Sequence, residues 1–321
     1  MSAASRVTDF LSILNVVLPV YLTMALGGAA RKLGILAPEV DKSMMRLCIT
    51  ILTPCLIFQR VVGNDSVMAP LPVLVAAGLG FGLVALGIAI SYFVAPLAGL
   101  KVGQGRRTFA VACGLQNYGF VAIPIVTALF HDPGTLGVLF TFTLGVELAC
   151  WICAVGLMTG FGSAPWKLAL NPPVIAILVS LGLNFTGLHQ FVPEVIHNFF
   201  GMVGACAVPL AVLLIGAAIA ELWGQEKMRW ALAFASPVLR LLVIPLAFIA
   251  AAYWLPLSVE LKRIIVVQGA MPSAVFNIMI ARHYGGHAPT AVQVVLATTV
   301  VSLATTPLAI AWGLRVVGLA P

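Results

Sequence analysis

Charge is what this chain has least of. Only 8% of its 321 residues are Asp, Glu, Lys or Arg, where a soluble globular domain carries about 25%. So few charges do not hydrate the surface of a 33.7 kDa globule, which excludes a soluble enzyme. Long polar stretches are missing as well, leaving no room for an extramembrane domain. The sequence holds no His-Glu-x-x-His helix, no paired carboxylates and no nucleophile with its base, so an intramembrane protease or transferase lacks its chemistry. It has no Walker-type phosphate loop, no ring of charge and no repeated filter sequence. The net charge of +7 comes from basic residues in ones and twos between apolar runs, a topology signal and not a nucleic-acid patch. All six cysteines lie inside apolar stretches without metal-ligand spacing, and Cys150 and Cys153, one turn apart, read as core packing.

What is present is apolar length. Mean hydropathy is +1.10, and apolar runs fall at about 11–30, 44–62, 71–95, 108–130, 134–159, 168–188, 196–220, 231–254, 262–282 and 288–314. A bilayer crossing takes roughly 20 such residues, and runs without alternating polarity suit helices rather than barrel strands. The expectation is an all-α membrane protein of ten helices. The first run follows a single Arg6 and is long enough to be an uncleaved helix. One set of connections carries Arg31, Lys32, Lys42, Arg46, Lys101, Arg106, Arg107, Lys167, Lys227, Arg229 and Arg282; the other carries Arg6, Arg60, Lys262, Arg263 and Arg315. That bias places both termini outside.

The chain also repeats itself at an offset of 155. Pro38-Glu39-Val40 maps onto Pro193-Glu194-Val195, Pro54 onto Pro209, Val111 and Gly114 onto Val266 and Gly269, and Thr135 onto Thr290. Two five-helix halves follow, 1–160 and 161–321. An odd number of crossings turns the second half upside down, the inverted-repeat plan of secondary transporters.

Matching runs in the two halves should be broken. The fourth reads CGLQNYGFVAIPIV, with Gly114, Asn117, Tyr118, Gly119 and Pro124; the ninth reads QGAMPSAVFNIMI, with Gly269, Pro272, Ser273 and Asn277. Proline removes a donor and clashes with the preceding turn, and glycine lowers the cost of unwinding. The freed backbone groups need protein, water or a solute as partners, and half-helix ends offer positive poles to an anion and carbonyls to a cation. The candidate substrate site gathers Gln116, Asn117, Tyr118, Gly119, Met271, Pro272, Ser273 and Asn277. Pro54 and Pro209 read as scaffold kinks. Glu147, well inside the fifth run, is a candidate for a coupling proton, alongside Gln268, or else a structural partner of Arg240. Arg240 is expected to snorkel to the interface from a helix beginning near Ser236 and Pro237. The six tryptophans, Trp151, Trp166, Trp223, Trp230, Trp254 and Trp312, read as an interfacial belt, and the five histidines as loop or helix-end residues.

Ten helices, Asn117-x-Gly119-x-x-x-x-Pro124 in the fourth and Gly269-Ala270-Met271-Pro272 in the ninth resemble the auxin efflux carrier family, including its bacterial malonate-transporter-like permeases, over the whole chain. The resemblance extends more distantly to the bile-acid symporter and sodium/proton antiporter fold. It implies a scaffold of helices one, two, six and seven and a moving domain of helices three to five and eight to ten. By resemblance, Asn117 and Gly119 lie at the crossing of helices four and nine beside the substrate, and Pro124 and Pro272 maintain the break. It also implies organic carboxylates as substrates. The long central loop of the plant carriers is missing, which makes auxin itself doubtful.

The expected activity is therefore secondary transport of a small organic carboxylate, such as malonate, malate or an auxin-like acid, by alternating access. A passive anion channel, a membrane sensor and a sodium-coupled symporter of a larger amphipathic anion are the alternatives. No cofactor is expected beyond a coupling proton or sodium ion, and no nucleic acid; the partners are the solute, the lipid bilayer and at most a second copy of the chain. The expected location is a bacterial inner membrane.

Overall fold

The computed structural model describes residues 3–160, 171–223 and 229–319. Trp166, Lys167 and Lys227 lie outside the described residues, as does residue 161 where the second half is expected to begin. Among the described residues the secondary structure is helical, and one isolated antiparallel bridge joins Gln116 to Ser273.

Among the described residues, seven helices contain apolar segments long enough to cross a membrane. They are α1 (Ala3–Lys32), α2 (Pro38–Val61), α3 (Pro70–Ala98), α6 (Pro133–Thr159), α8 (Glu194–Leu222), α9 (Trp230–Trp254) and α12 (Ala288–Val316). The expected sixth run gives the shorter apolar helix α7 (Pro172–Phe185). The fourth run is two pieces, α4 (Arg106–Gly114) and α5 (Ala122–Leu129), and the ninth is α10 (Val259–Ala270) and α11 (Phe276–His283). No half is long enough to cross alone at 1.5 Å per residue.

Helix starts follow local chemistry. Asp132 precedes Pro133 and accepts from the Thr135 amide at 2.8 Å, and Asn171 precedes Pro172-Pro173 and accepts from the Val174 amide at 3.0 Å. Each is an N-cap followed by proline at the first helical position, where a missing N–H costs nothing. His287 caps α12 through Nδ1, 3.3 Å from the Thr290 amide. Asp132 and His287 are 155 residues apart, as are Thr135 and Thr290.

Packing sorts the helices into two groups. In one, α1 lies on α8 and α2 lies against α7 and α8; in the other, α3 packs on α6, α9 on α12, and α10 on α6, α9 and α12. Small residues permit the tightest of these contacts, as is usual where lipid offers no hydrophobic drive between helices. A Cβ on Gly216 of α8 would overlap the Met24 carbonyl of α1, and one on Gly145 of α6 would overlap the Ala77 carbonyl of α3. Arg31 at the end of α1 ties α2 and α8 together by ion pairs with Asp41 and Glu221. The Tyr21 hydroxyl reaches Ser302 at 3.2 Å, linking α1 of the first group to α12 of the second.

Burial is uneven: 78% of the most apolar window of α6 is enclosed by protein, against 33% in α1. The helix carrying Glu147 is thus central, and α1 is peripheral. Among the described residues, three helices widen locally into π-turns, at Cys48–Leu52 in α2, Cys150–Val155 in α6 and Val238–Val243 in α9. Such turns concentrate at functional sites. Pro54 is the second residue after the first of them, and Pro209 is the third after a one-residue interruption of α8 at Cys206. Pro124 does not itself end a helix. The chain has already left helical geometry at Leu115, and Pro124 falls in the first turn of α5, where proline is tolerated.

Candidate functional site

The two interruptions face each other. The Asn117 amide donates to the Pro272 carbonyl at 2.8 Å and the Ala274 amide to the Leu115 carbonyl at 3.3 Å. Backbone groups freed by one break are thereby answered by the other, which meets the demand that nothing polar stay unpaired within an apolar slab. Side chains complete the joint. Gln116 donates to Gln268 at 3.3 Å, and Gln268 donates to the Tyr118 carbonyl at 3.0 Å. The Asn277 amide donates to the Leu115 carbonyl at 2.9 Å and to Ser273 Oγ at 3.1 Å, and the Ser273 amide donates to Thr298 at 3.2 Å.

Beside this joint lies a cavity of about 240 Å³. From the breaks it receives Asn117, Tyr118, Gly119 and Phe120 on one side and Ala274, Val275 and Phe276 on the other. These are the approaches to the N-terminal ends of α5 and α11, and neither start carries a side-chain cap. Thr143 and Glu147 of α6 and Asn171 of α7 supply further polar wall, and Met45, Ile49, Ile57 and Ile215 supply apolar wall from α2 and α8. The cavity therefore lies between the two helix groups.

Asn117 is its distinctive member. The residue is only 6% exposed, lines the cavity and has no side-chain hydrogen bond among the described residues. Its amide opens onto the cavity, with its hydrogen-bonding capacity unspent by the described residues. Gly119 has no atom within 4 Å of where a Cβ would stand, so its missing side chain leaves cavity space.

Glu147 is held by three neutral donors. The Tyr118 hydroxyl donates to it at 2.6 Å, the Trp151 indole at 3.2 Å and the Asn171 amide at 3.1 Å. Both carboxylate oxygens are engaged, and Arg240 is not among the partners. Of the two alternatives for Glu147, a structural pair with Arg240 is not formed, and the expectations for Arg240 and Trp151 are each corrected. α9 begins at Trp230, so Arg240 lies about 15 Å along the helix axis, too deep to snorkel, and it is 0% exposed. Its guanidinium donates to the Met271 and Gly269 carbonyls at 2.9 Å, to Gln268 at 3.3 Å and to Cys113 at 3.5 Å. Trp151 is buried against Glu147, whereas Trp223, Trp230, Trp254 and Trp312 are exposed, as a lipid-facing residue would be.

Of the expected site residues, then, Asn117, Tyr118, Gly119 and Glu147 reach the cavity. Gln116, Gln268, Met271, Ser273 and Asn277 are buried within the joint and do not line it; the side-chain amide donors of Gln116, Gln268 and Asn277 bond within the joint. Pro272 lies in the second linker and lends its carbonyl to Asn117. Gly114 and Gly269 end α4 and α10 against α3 and α9, where a Cβ would press on Ile88 and Phe248. Pro54 and Pro209 are away from the lining, in the positions given above. Asn171 and Thr53 are polar wall residues that sequence reasoning missed; the signal for Asn171 was the Asn-Pro-Pro start of a helix.

The family described as membrane transport protein matches this chain over residues 12–161 and 158–310. A protein named uncharacterized transporter from Methanothermobacter thermautotrophicus is 26% identical over 313 residues, covering 93% of this chain and 98% of the relative. Another of that name, from Methanocaldococcus jannaschii, is 23% identical over 283 residues, covering 84% and 89%. With these apolar helices, the chain is an integral membrane protein, a transporter and not an enzyme, and it belongs to the auxin efflux carrier family of membrane transport proteins.

Proposed function

We propose that this protein is a secondary carrier of small organic carboxylates, which bind in the cavity beside the joint and cross by alternating access. The observation that carries the reading is the unpartnered Asn117 amide, buried in a cavity flanked by two uncapped helix starts. Helix N-termini favour negative charge, and a carboxylate accepts from amides. A cavity of about 240 Å³ suits an acid of a few carbons. Tyr118 and Gly119 complete the polar wall, and Met271, Pro272, Ser273, Asn277 and Gln116 hold its shape from behind.

The ten-helix inverted repeat is part of the same proposal. Its support is the 155-residue offset, which relates the Asp132–Thr135 cap to the His287–Thr290 cap, and the antiparallel bridge between the breaks. The group α1, α2, α7 and α8 is then a scaffold, against which the other helices move as a body carrying the joint and Glu147. The cavity lies toward the basic ends of the helices, since Met45 neighbours Arg46 and Met279 is one turn from Arg282. With both termini outside, this conformation faces inward.

Glu147 supplies the coupling. An anion and an ionised Glu147 repel each other within one small cavity, so anion binding and proton binding reinforce each other, and that coupling is reciprocal. Asn171 belongs to α7, so its bond to Glu147 joins the proposed scaffold to the moving body. The test is uptake of labelled malonate, malate and indole acetate by liposomes holding the purified protein, under imposed proton and potential gradients. Accumulation driven by an inward proton gradient, abolished in Glu147→Gln without loss of the folded protein, is the expected result. Gradient-independent equilibration would identify a pore, and unchanged proton dependence in Glu147→Gln would remove the carboxyl from the coupling.

A further inference from the structure

Among the described residues Arg240 is the largest side chain fully buried, and transport of an anion past Asn117 makes no use of it. Its hydrogen-bond partners are all backbone carbonyls of the two breaks, and the Phe248 ring of α9 lies 5.8 Å from its guanidinium. Gln268, Gly269 and Met271 lie at the C-terminal end of α10 and just beyond it, and Cys113 is the penultimate residue of α4. The remaining carbonyl at the end of α10, that of Ala270, accepts from Thr306 at 3.0 Å. Converging helix C-termini carry partial negative charge and are where discontinuous membrane helices hold a coupling cation. Here that place is filled from within the chain.

The match is one of charge and of shape. Among the described residues no carboxylate pairs with Arg240; the ion pairs join Arg31 to Asp41 and Glu221, and Arg263 to Asp132. The guanidinium is therefore balanced by the carbonyl ends themselves. Its planar fork of five donors reaches four carbonyls on two helices at once, which a lysine with three donors on one nitrogen does less well. The π-turn Val238–Val243 directs the residue inward from α9. Two acceptors near the joint stay without partners, Gln116 Oε1 and Asn277 Oδ1. Two neutral oxygens are far fewer than the six or so that a hard cation gathers.

We propose that Arg240 is the resident cation of the joint, so that the carrier moves its anion with no requirement for sodium. Tethered to α9, this charge cannot leave with the solute. The inference rests on the carrier reading for its functional meaning, but its first test does not need transport.

Thermal unfolding of the purified protein is compared in sodium, potassium and choline chloride at one ionic strength. Wild type should melt at the same temperature in all three. Arg240→Ala, whose carbonyls are vacated, should melt lower in choline and recover in sodium; if it does not fold, Arg240→Gln takes its place. Sodium-specific stabilisation of the wild type would overturn the proposal, and so would a folded neutral variant without any sodium response. In liposomes, wild-type uptake of the anion should be equal in the three salts. A protein that takes up no anion under any gradient would sink the carrier reading while leaving the melting comparison to decide the role of Arg240.

Discussion

The two broken spans carry similar residues and use them differently. In the first break Asn117 stands free in the cavity with Tyr118 and Gly119 beside it; in the second, Asn277 and Ser273 are bonded to each other and to the Leu115 carbonyl and the Thr298 hydroxyl. Both asparagines are nearly inaccessible, at 6% and 1% exposure. Burial thus fails to tell the two asparagines apart, whereas the placement of their side-chain donors does: those of Asn277 bond inside the joint, and those of Asn117 face the cavity. A side chain whose donors are already spent inside the protein supports a site, and one held in reserve is offered to a ligand.

The sharpest way to break that comparison is Asn117→Ala. Hydrogen bonds to a charged group contribute about 1.5–3 kcal/mol, so anion affinity should fall roughly tenfold to a hundredfold while the melting temperature holds or rises. Calorimetric or scintillation binding of labelled malonate to the purified variant measures it, and unaltered affinity would remove Asn117 from the site. Asn277→Ala should do the reverse. It deprives buried carbonyls of a donor and should cost about 1–3 kcal/mol of stability, read as a lowered unfolding midpoint, with anion affinity in the folded fraction close to wild type. A loss of affinity without a loss of stability would merge the two breaks into one binding surface.

The smallest effect concerns the ends of the breaks. Desolvation would raise the Asp132 carboxyl, but hydrogen bonds from Thr135 and the charge of Arg263, 2.9 Å away, outweigh it and hold the pKa below the ordinary aspartate range. A depressed folded-state value stabilises the protein above the unfolded pKa of about 3.9, and that stability is lost as pH falls through the lower folded value. The pair is partly exposed, so Asp132→Asn should cost at most about 1 kcal/mol near neutral pH. The difference from wild type should vanish in strong acid, as followed by denaturant unfolding across pH. A constant difference at every pH would assign the effect to cap geometry and not to charge.

Much of the architecture was legible because each signal is local. Apolar length marks the spans, and Asn-Pro or Asp-Pro marks a helix start. Gly, Asn and Pro clustered inside an apolar run mark an interruption, and the one at 115–121 was readable from Asn117, Tyr118 and Gly119. Arg240 was not. Its partners lie 28 to 31 residues away along α10 and 127 away at Cys113, and a lone arginine in an apolar run reads equally well as an interface residue. Trp151 failed for the same reason, since nothing in a run's composition says whether an aromatic ring faces lipid or a carboxylate.

Composition and period by themselves determined that this chain lives in a membrane, as helices, with two interruptions at corresponding places. Those outcomes follow from the transfer cost of polar groups into hydrocarbon, which acts on each segment independently. Which amide stays unbonded, which charge meets which carbonyls and where a cavity opens were decided by the docking of one helix group on the other. Hydrogen-bond partners are chosen by distance and direction in space, and a sequence specifies those only through the folded whole.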